Sequence, residues 1–155
     1  MDSHDHRDVP LVLILEDEAL IGLEIADTLL DKKYRIAGPF NRCSEGLAWL
    51  ADNKPDLAIV DVVLRDGFSV AVAHELRAKG VPFLVYSGRL PNGADAAFAG
   101  APWLQKPILT ALLLGTLAAL SSTAPEPRTA EPNAGSTPFT LSPLFSQLDH
   151  TLAFT

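Results

Sequence analysis

The stretch LVLILEDEAL, residues 11–20, decides how the chain is read. Five large aliphatic residues run without polar alternation and stop at three consecutive carboxylates, Glu16, Asp17 and Glu18. A strand with one wet face alternates apolar with polar residues, whereas an unbroken apolar run suits a strand buried on both faces, as in a parallel sheet. The carboxylates then begin where the strand, read over Val9–Leu15, comes to its end. LAIVD, residues 57–61, repeats the pattern and delivers Asp61. VPFLVYSG, residues 81–88, ends its apolar run at Ser87, and APWLQ, residues 101–105, is followed by Lys106.

Helical patterns separate these runs. Residues 18–32 place Ile21, Ile25, Thr28 and Leu29 along one face. Residues 44–53 form a second helix, N-capped by Ser44 or by Asn41. Residues 69–79 form a third, stopped by Gly80. A last helix over 106–120 starts near Pro107, where a missing N–H does no harm. Tyr34–Gly38 reads as a further strand, VLRDG (63–67) as a loop, and PNGADAAFAG (91–100) as a short helix or turn. Strands alternating with helices five times imply an open parallel sheet covered on both faces.

Composition narrows the function. The chain has 155 residues and a formal net charge of −7, which argues against nucleic-acid binding, since that needs clustered Lys and Arg. A single cysteine, Cys43, allows no internal disulfide and suits a reducing compartment. The acidic N-terminus lacks the pattern of a signal peptide. The longest apolar stretch, Ile108–Leu120, is broken by Thr and Gly and falls short of the roughly 20 residues of a membrane span. The expectation is a cytoplasmic protein without membrane insertion. Residues 1–8 read as a flexible arm, 9–120 as one folded domain, and 121–141 as a linker rich in Pro, Ser, Thr and Ala. In the C-terminal segment 142–155, Ser142 and Pro143 can open a short amphipathic helix with Leu144, Leu148 and Leu152 on one face. The last helix of the folded domain has more apolar surface than one sheet face can cover. A homodimer partner, a signalling partner or the terminal segment is expected to cover the remainder.

In open α/β sheets the functional site lies beyond the carboxyl ends of the strands, where strand order reverses. With the order 2-1-3-4-5 the first and third strands are neighbours, so Glu16, Asp17 and Asp61 form one carboxylate cluster flanked by Ser87 and Lys106. Neighbouring carboxylates raise each other's pKa unless a cation joins them. Hard oxygen ligands with open positions suit Mg²⁺. Such an ion neutralises charge on an incoming phosphoryl group and lets a carboxylate act as nucleophile. Lys106 adds a second positive point, and the Ser87 hydroxyl can donate to a phosphoryl oxygen.

The set LILEDE, AIVDVVLRDG, LVYSG and LQKP, in this order, resembles the receiver domain of two-component response regulators over roughly residues 9–120. The combination LRDG, VPFLVYSG and LQKP resembles the single-domain receivers of alphaproteobacteria. The resemblance implies a flavodoxin-like (βα)5 three-layer sandwich and a single-domain response regulator that signals through protein contacts. It implies that Asp61 is the phosphoacceptor. Asp17 and Asp61 would bind Mg²⁺ directly, together with the backbone carbonyl of Val63, and Glu16 would act through a metal-bound water. Ser87 would read the phosphoryl group, Lys106 would pair with it, and Trp103 stands at the position of a rotamer switch. The implied donor is a sensor histidine kinase or a phosphotransfer protein, the implied receiver of the signal another protein, and the only catalysis that of its own phosphorylation and dephosphorylation. The chain departs from the common pattern in four places. Glu16 stands where many receivers have Asp, Trp103 where Tyr, Phe or His is usual, and Arg65 where many have Pro. The stretch between Ser87 and Lys106 is short and rich in Ala, Gly and Pro. Two other functions fit less well. A phosphorylation-independent adaptor would not need the intact set of Glu16, Asp17, Asp61, Ser87 and Lys106. An aspartate-based phosphohydrolase would carry a second carboxylate where this chain has Val63.

Overall fold

The computed structural model describes residues 9–123. The arm 1–8, most of the linker and the C-terminal segment with Ser142 lie outside the described residues.

The opening apolar run becomes β1 (Leu11–Leu15), of which Val12, Leu13, Ile14 and Leu15 are wholly buried. It is followed by α1 (Ala19–Asp31), β2 (Arg35–Phe40), α2 (Cys43–Asp52) and β3 (Leu57–Val60). Then come a two-stranded hairpin, β4 (Val63–Leu64) and β5 (Gly67–Phe68), and α3 (Val70–Ala78). The described chain ends with β6 (Phe83–Ser87), β7 (Trp103–Gln105) and α4 (Thr110–Thr123). The five long strands form one parallel sheet in the order β2-β1-β3-β6-β7, which is the expected 2-1-3-4-5 order with the hairpin strands set aside.

Successive residues of the central strands feed opposite layers, as the twofold pleat requires. Leu13, Leu15, Ala58, Val60, Phe83 and Val85 pack with Leu50 of α2 and Val72, Ala73 and Leu76 of α3. Val12, Ile14, Leu57, Ile59, Leu84 and Tyr86 pack with Ile25, Ala26 and Leu29 of α1 and Leu113 and Leu117 of α4. The described residues thus form a three-layer sandwich. Each fully buried Leu or Ile contributes about 1.5–3 kcal/mol of transfer free energy. One irregularity marks the β1–β2 pair, where the register shifts between Leu13 and Leu15. Gly38 sits there with φ of +98°, and a Cβ on it would lie 2.7 Å from the Ile14 carbonyl oxygen, so both conformation and space demand glycine.

Four local expectations are corrected. The segment read as a loop at 63–67 contains the β4–β5 hairpin, with Val63 opposite Phe68. The α2 N-terminus is capped by neither Ser44 nor Asn41. Arg42 is its N-cap residue and caps nothing with its side chain. The carboxylate of Asp66, in the hairpin turn, instead accepts from the Cys43 N–H (2.6 Å) and the Ser44 N–H (3.1 Å). The stretch 91–100 is the short helix or turn expected of it. Ala96–Phe98 makes a single 3-10 turn, capped by Asp95, and the Arg77 guanidinium of α3 donates to the carbonyls of Ala97 and Ala99. The helix expected to start near Pro107 starts at Thr110, because Pro107 belongs to the segment that leads off the sheet from Lys106. It continues to Thr123, three residues into the stretch read as linker.

Because the fourth connection lacks a helix, a cleft of about 350 Å³ opens between the hairpin and residues 89–95, with Phe68, Phe98 and Trp103 among its walls. Leu109 (78% exposed), just ahead of α4, and Leu112 within it face outward, as do Leu20, Leu23 and Leu30 on α1. Among the described residues no helix is long and apolar enough to cross a membrane.

Candidate functional site

Backbone hydrogen bonds carry the strand pairing past the strand ends and fix where the polar residues emerge. The Glu16 N–H bonds the Phe40 carbonyl at 2.9 Å, and the Asp61 N–H bonds the Leu15 carbonyl at 3.0 Å. At the other side of the sheet, the Lys106 N–H bonds the Ser87 carbonyl at 2.8 Å. The buried β1 and β3 therefore deliver Glu16 and Asp61 side by side, while β6 and β7 deliver Ser87 and Lys106.

Lys106 closes the cluster. Its Nζ lies 2.7 Å from Glu16 Oε2, 2.8 Å from Asp61 Oδ2 and 3.7 Å from Glu18 Oε1. The first two carboxylates are buried, with side chains 1% and 8% exposed, so these charge-assisted bonds form in a medium that screens them little. Glu16 Oε2 also accepts from the Glu18 N–H at 2.9 Å. Glu18 is the N-cap residue of α1 rather than part of its first turn. Burial pushes Glu16 up to about 7, against the lowering pull of the Lys106 bond and the Glu18 N–H, and the charge of Asp61 adds to the rise. For Lys106, burial works against the ammonium, but the bonds to Asp61 and Glu16 outweigh it and raise its pKa.

The remaining expected residues stand around this centre. Ser87 is buried, and its Oγ accepts from the Arg89 N–H at 3.2 Å. Asp17 points to the half-exposed rim, where its Oδ1 lies 4.0 Å from Arg65 Nε. Val63 stands in β4, just beyond Asp61. Trp103 lies across residues 88–89 from the cluster. Its indole N–H donates to the Arg89 carbonyl at 2.7 Å, and its ring meets Phe98 edge to face at 6.2 Å. Cys43 is tucked under the hairpin with its thiol 3.3 Å from the Phe68 carbonyl oxygen. Burial, then the charge of Asp66, pushes it up to about 11, so it is no nucleophile at neutral pH.

Sequence reading missed two supports. Ser69 is fully buried, and its hydroxyl donates to the Asp61 carbonyl at 2.7 Å while its N–H bonds the Val62 carbonyl at 2.8 Å, which fixes the loop after β3. Asp66 looked like a turn residue before Gly67, and its capping partners stand more than twenty positions earlier in the chain. A serine opening a helix and an Asp-Gly turn are both common, so neither announces such a role.

Among the described residues no three acidic, His or Cys side chains converge closely enough to cage a metal. The donor set nonetheless fits Mg²⁺. That ion prefers carboxylate oxygens, needs only one or two of them, and keeps several of its waters. Glu16 and Asp61, both buried, share the Lys106 ammonium, and Asp17 stands beside them at the rim.

No family model matches the chain. SdrG from Sphingomonas melonis Fr1 is 35% identical over 72% of this chain and 96% of that chain, with a TM-score of 0.63, and a second SdrG structure is of its BeF3-activated conformation. The response regulator REC domain of PhyR from Erythrobacter litoralis is 26% identical over 79% of this chain and 97% of that one, with a TM-score of 0.66. The transcriptional regulatory protein PdtaR of Mycobacterium tuberculosis is 38% identical over 76 residues, 48% of this chain, and the match takes in only 36% of PdtaR. The strand order, the strand-end residues and the likeness to SdrG and PhyR over almost their whole lengths agree, and the chain belongs to the receiver-domain family of two-component response regulators.

Proposed function

We propose that the protein is a phosphorylation switch in which Asp61 accepts a phosphoryl group from the phosphohistidine of a sensor histidine kinase or a phosphotransfer protein. The observation that carries this reading is the Lys106 ammonium bridging Glu16 and Asp61 at the carboxyl end of the sheet. An Asp61 oxygen attacks phosphorus, an O–P bond forms as the N–P bond breaks, and the electron pair returns to the departing imidazole. Lys106, already bonded to Asp61, offers its charge to the arriving phosphoryl oxygens. Mg²⁺, when bound, neutralises phosphoryl charge. Asp17, Asp61 and the Val63 carbonyl would hold it, with Glu16 acting through water. The BeF3-activated form of SdrG supports the reading, because beryllofluoride on a carboxylate mimics an acyl phosphate.

The output follows from the backbone of one residue, Arg89. Arg89 donates its N–H to Ser87 Oγ and accepts the Trp103 indole N–H at its carbonyl. When the Ser87 hydroxyl turns to a phosphoryl oxygen, the Arg89 N–H loses its acceptor and the 88–90 loop moves. Trp103, the switch residue of this reading, then follows through its bond to that loop. The changed surface passes the signal to another protein.

Incubation of the chain with acetyl phosphate, with and without Mg²⁺, tests this by intact mass. A Mg²⁺-dependent, base-labile phosphoryl adduct absent from Asp61→Asn is expected. An adduct that persists in that variant would overturn the assignment of Asp61.

A further inference from the structure

Among the described residues, four carboxylates at this end of the sheet, Glu16, Asp17, Glu18 and Asp61, form ion pairs with two cations, Lys106 and Arg65. Lys106 serves Glu16, Glu18 and Asp61. Arg65 is left to Asp17. Its backbone is held firmly. The Arg65 N–H bonds the Asn41 carbonyl at 2.9 Å, and the next residue, Asp66, is tied to the first two amides of α2. Its side chain is not held in this way. The Arg65–Asp17 contact is a loose 4.0 Å, with the two side chains 52% and 42% exposed. A fixed Cα beside the site and a free guanidinium are what a displaceable charge requires.

We propose that Arg65 is a built-in competitor for the divalent cation, neutralising Asp17 while no metal is bound and giving it up when the metal arrives. The inference rests on the reading of Asp17 as a metal ligand. Arg65 costs the chain metal affinity and in return keeps the acidic rim balanced in the metal-free state. Exposed ion pairs of this kind are weak, and their strength corresponds to a change in Kd of about two- to fivefold. Screening by salt shrinks the effect, since the pair lies in solvent.

The test is calorimetric titration of the full chain with MgCl2 at low ionic strength, comparing wild type, Arg65→Gln and Arg65→Lys, with thermal unfolding of each as a check on folding. Arg65→Gln is expected to bind Mg²⁺ about two- to fivefold more tightly. Arg65→Lys should stay near wild type, and the gain should fade in concentrated KCl. Equal or weaker binding by a folded Arg65→Gln overturns the inference while leaving the metal reading intact. A lysine variant that behaves like the glutamine variant overturns the charge argument. Absence of Mg²⁺ binding in every variant overturns the metal reading and this inference with it.

Discussion

Lys106 and Asp61, 45 positions apart in the chain, form a buried ion pair of 2.8 Å between Nζ and Oδ2. The same ammonium holds Glu16, so its removal leaves two buried carboxylates facing each other. Replacing one partner of such a pair costs about 3–5 kcal/mol, because the remaining charge stays buried without its counterion. Lys106→Met is expected to lose stability of that order at pH 8. It should regain part of it near pH 5, where Glu16 can take up a proton. Urea unfolding at both pH values checks this, and a pH-independent loss would mean that lost packing, not lost charge, sets the cost.

Glu16 predicts a second pH effect, of its own sign. Its folded pKa of about 7 lies above the ordinary 4.5. The folded protein therefore binds more protons than the unfolded chain between these values, and stability falls as pH rises through that window. A shift of this size corresponds to about 3 kcal/mol between the two limits. In the absence of Mg²⁺ the wild-type melting temperature should fall from pH 5 to pH 8. Glu16→Gln, whose amide oxygen can still accept from Lys106, should lack that fall and be the more stable protein at pH 8. Parallel profiles for the two would remove Glu16 as the source.

These charges were partly legible in the sequence, because β1 and β3 are apolar runs that end in acid, and parallel sheets put such ends together. Glu16, Asp61 and Lys106 meet as the strand order implied. What the sequence hid was non-local or lacked contrast. The cap of α2 comes from Asp66, far along the chain, so Ser44 and Asn41 were the natural local candidates. Pro91, Gly93 and Gly100 stop a helix from forming in the fourth connection, yet nothing local shows that Arg77 of α3 satisfies its carbonyls. In α4 Ala and Leu run from Ala111 to Leu120, broken only by Gly115 and Thr116, so periodicity could not tell its inner from its outer face.

That last ambiguity yields a third prediction. Leu117 is wholly buried against the sheet, whereas Leu109 is 78% exposed just ahead of the same helix. Leu117→Ala removes buried methyl groups and leaves a cavity, at a cost of about 2–5 kcal/mol. Leu109→Ala should change stability by less than about 0.5 kcal/mol, as surface substitutions do. Chemical denaturation of both variants measures the contrast, and equal losses would mean that Leu109 is covered by something in solution.

Asp66 is the fourth case, and it separates a cap supplied from a distance from a turn residue. Two backbone amides of α2, Cys43 and Ser44, donate to its carboxylate, and these bonds hold its pKa at about 2 instead of 3.8. A carboxylate at a helix N-terminus also meets the positive end of the helix dipole. Because the folded pKa is depressed, the stabilisation is present above about 3.8 and is lost as pH falls through about 2. Asp66→Asn should therefore be less stable than wild type at pH 7, with the two converging as the wild-type carboxylate is protonated. The loss should be local as well as global. Amide exchange at Cys43 and Ser44 should quicken in the variant, while amides in the middle of β1 and β3 follow only the change in overall stability. Unchanged exchange at those two amides would show that solvent can replace the carboxylate as their acceptor.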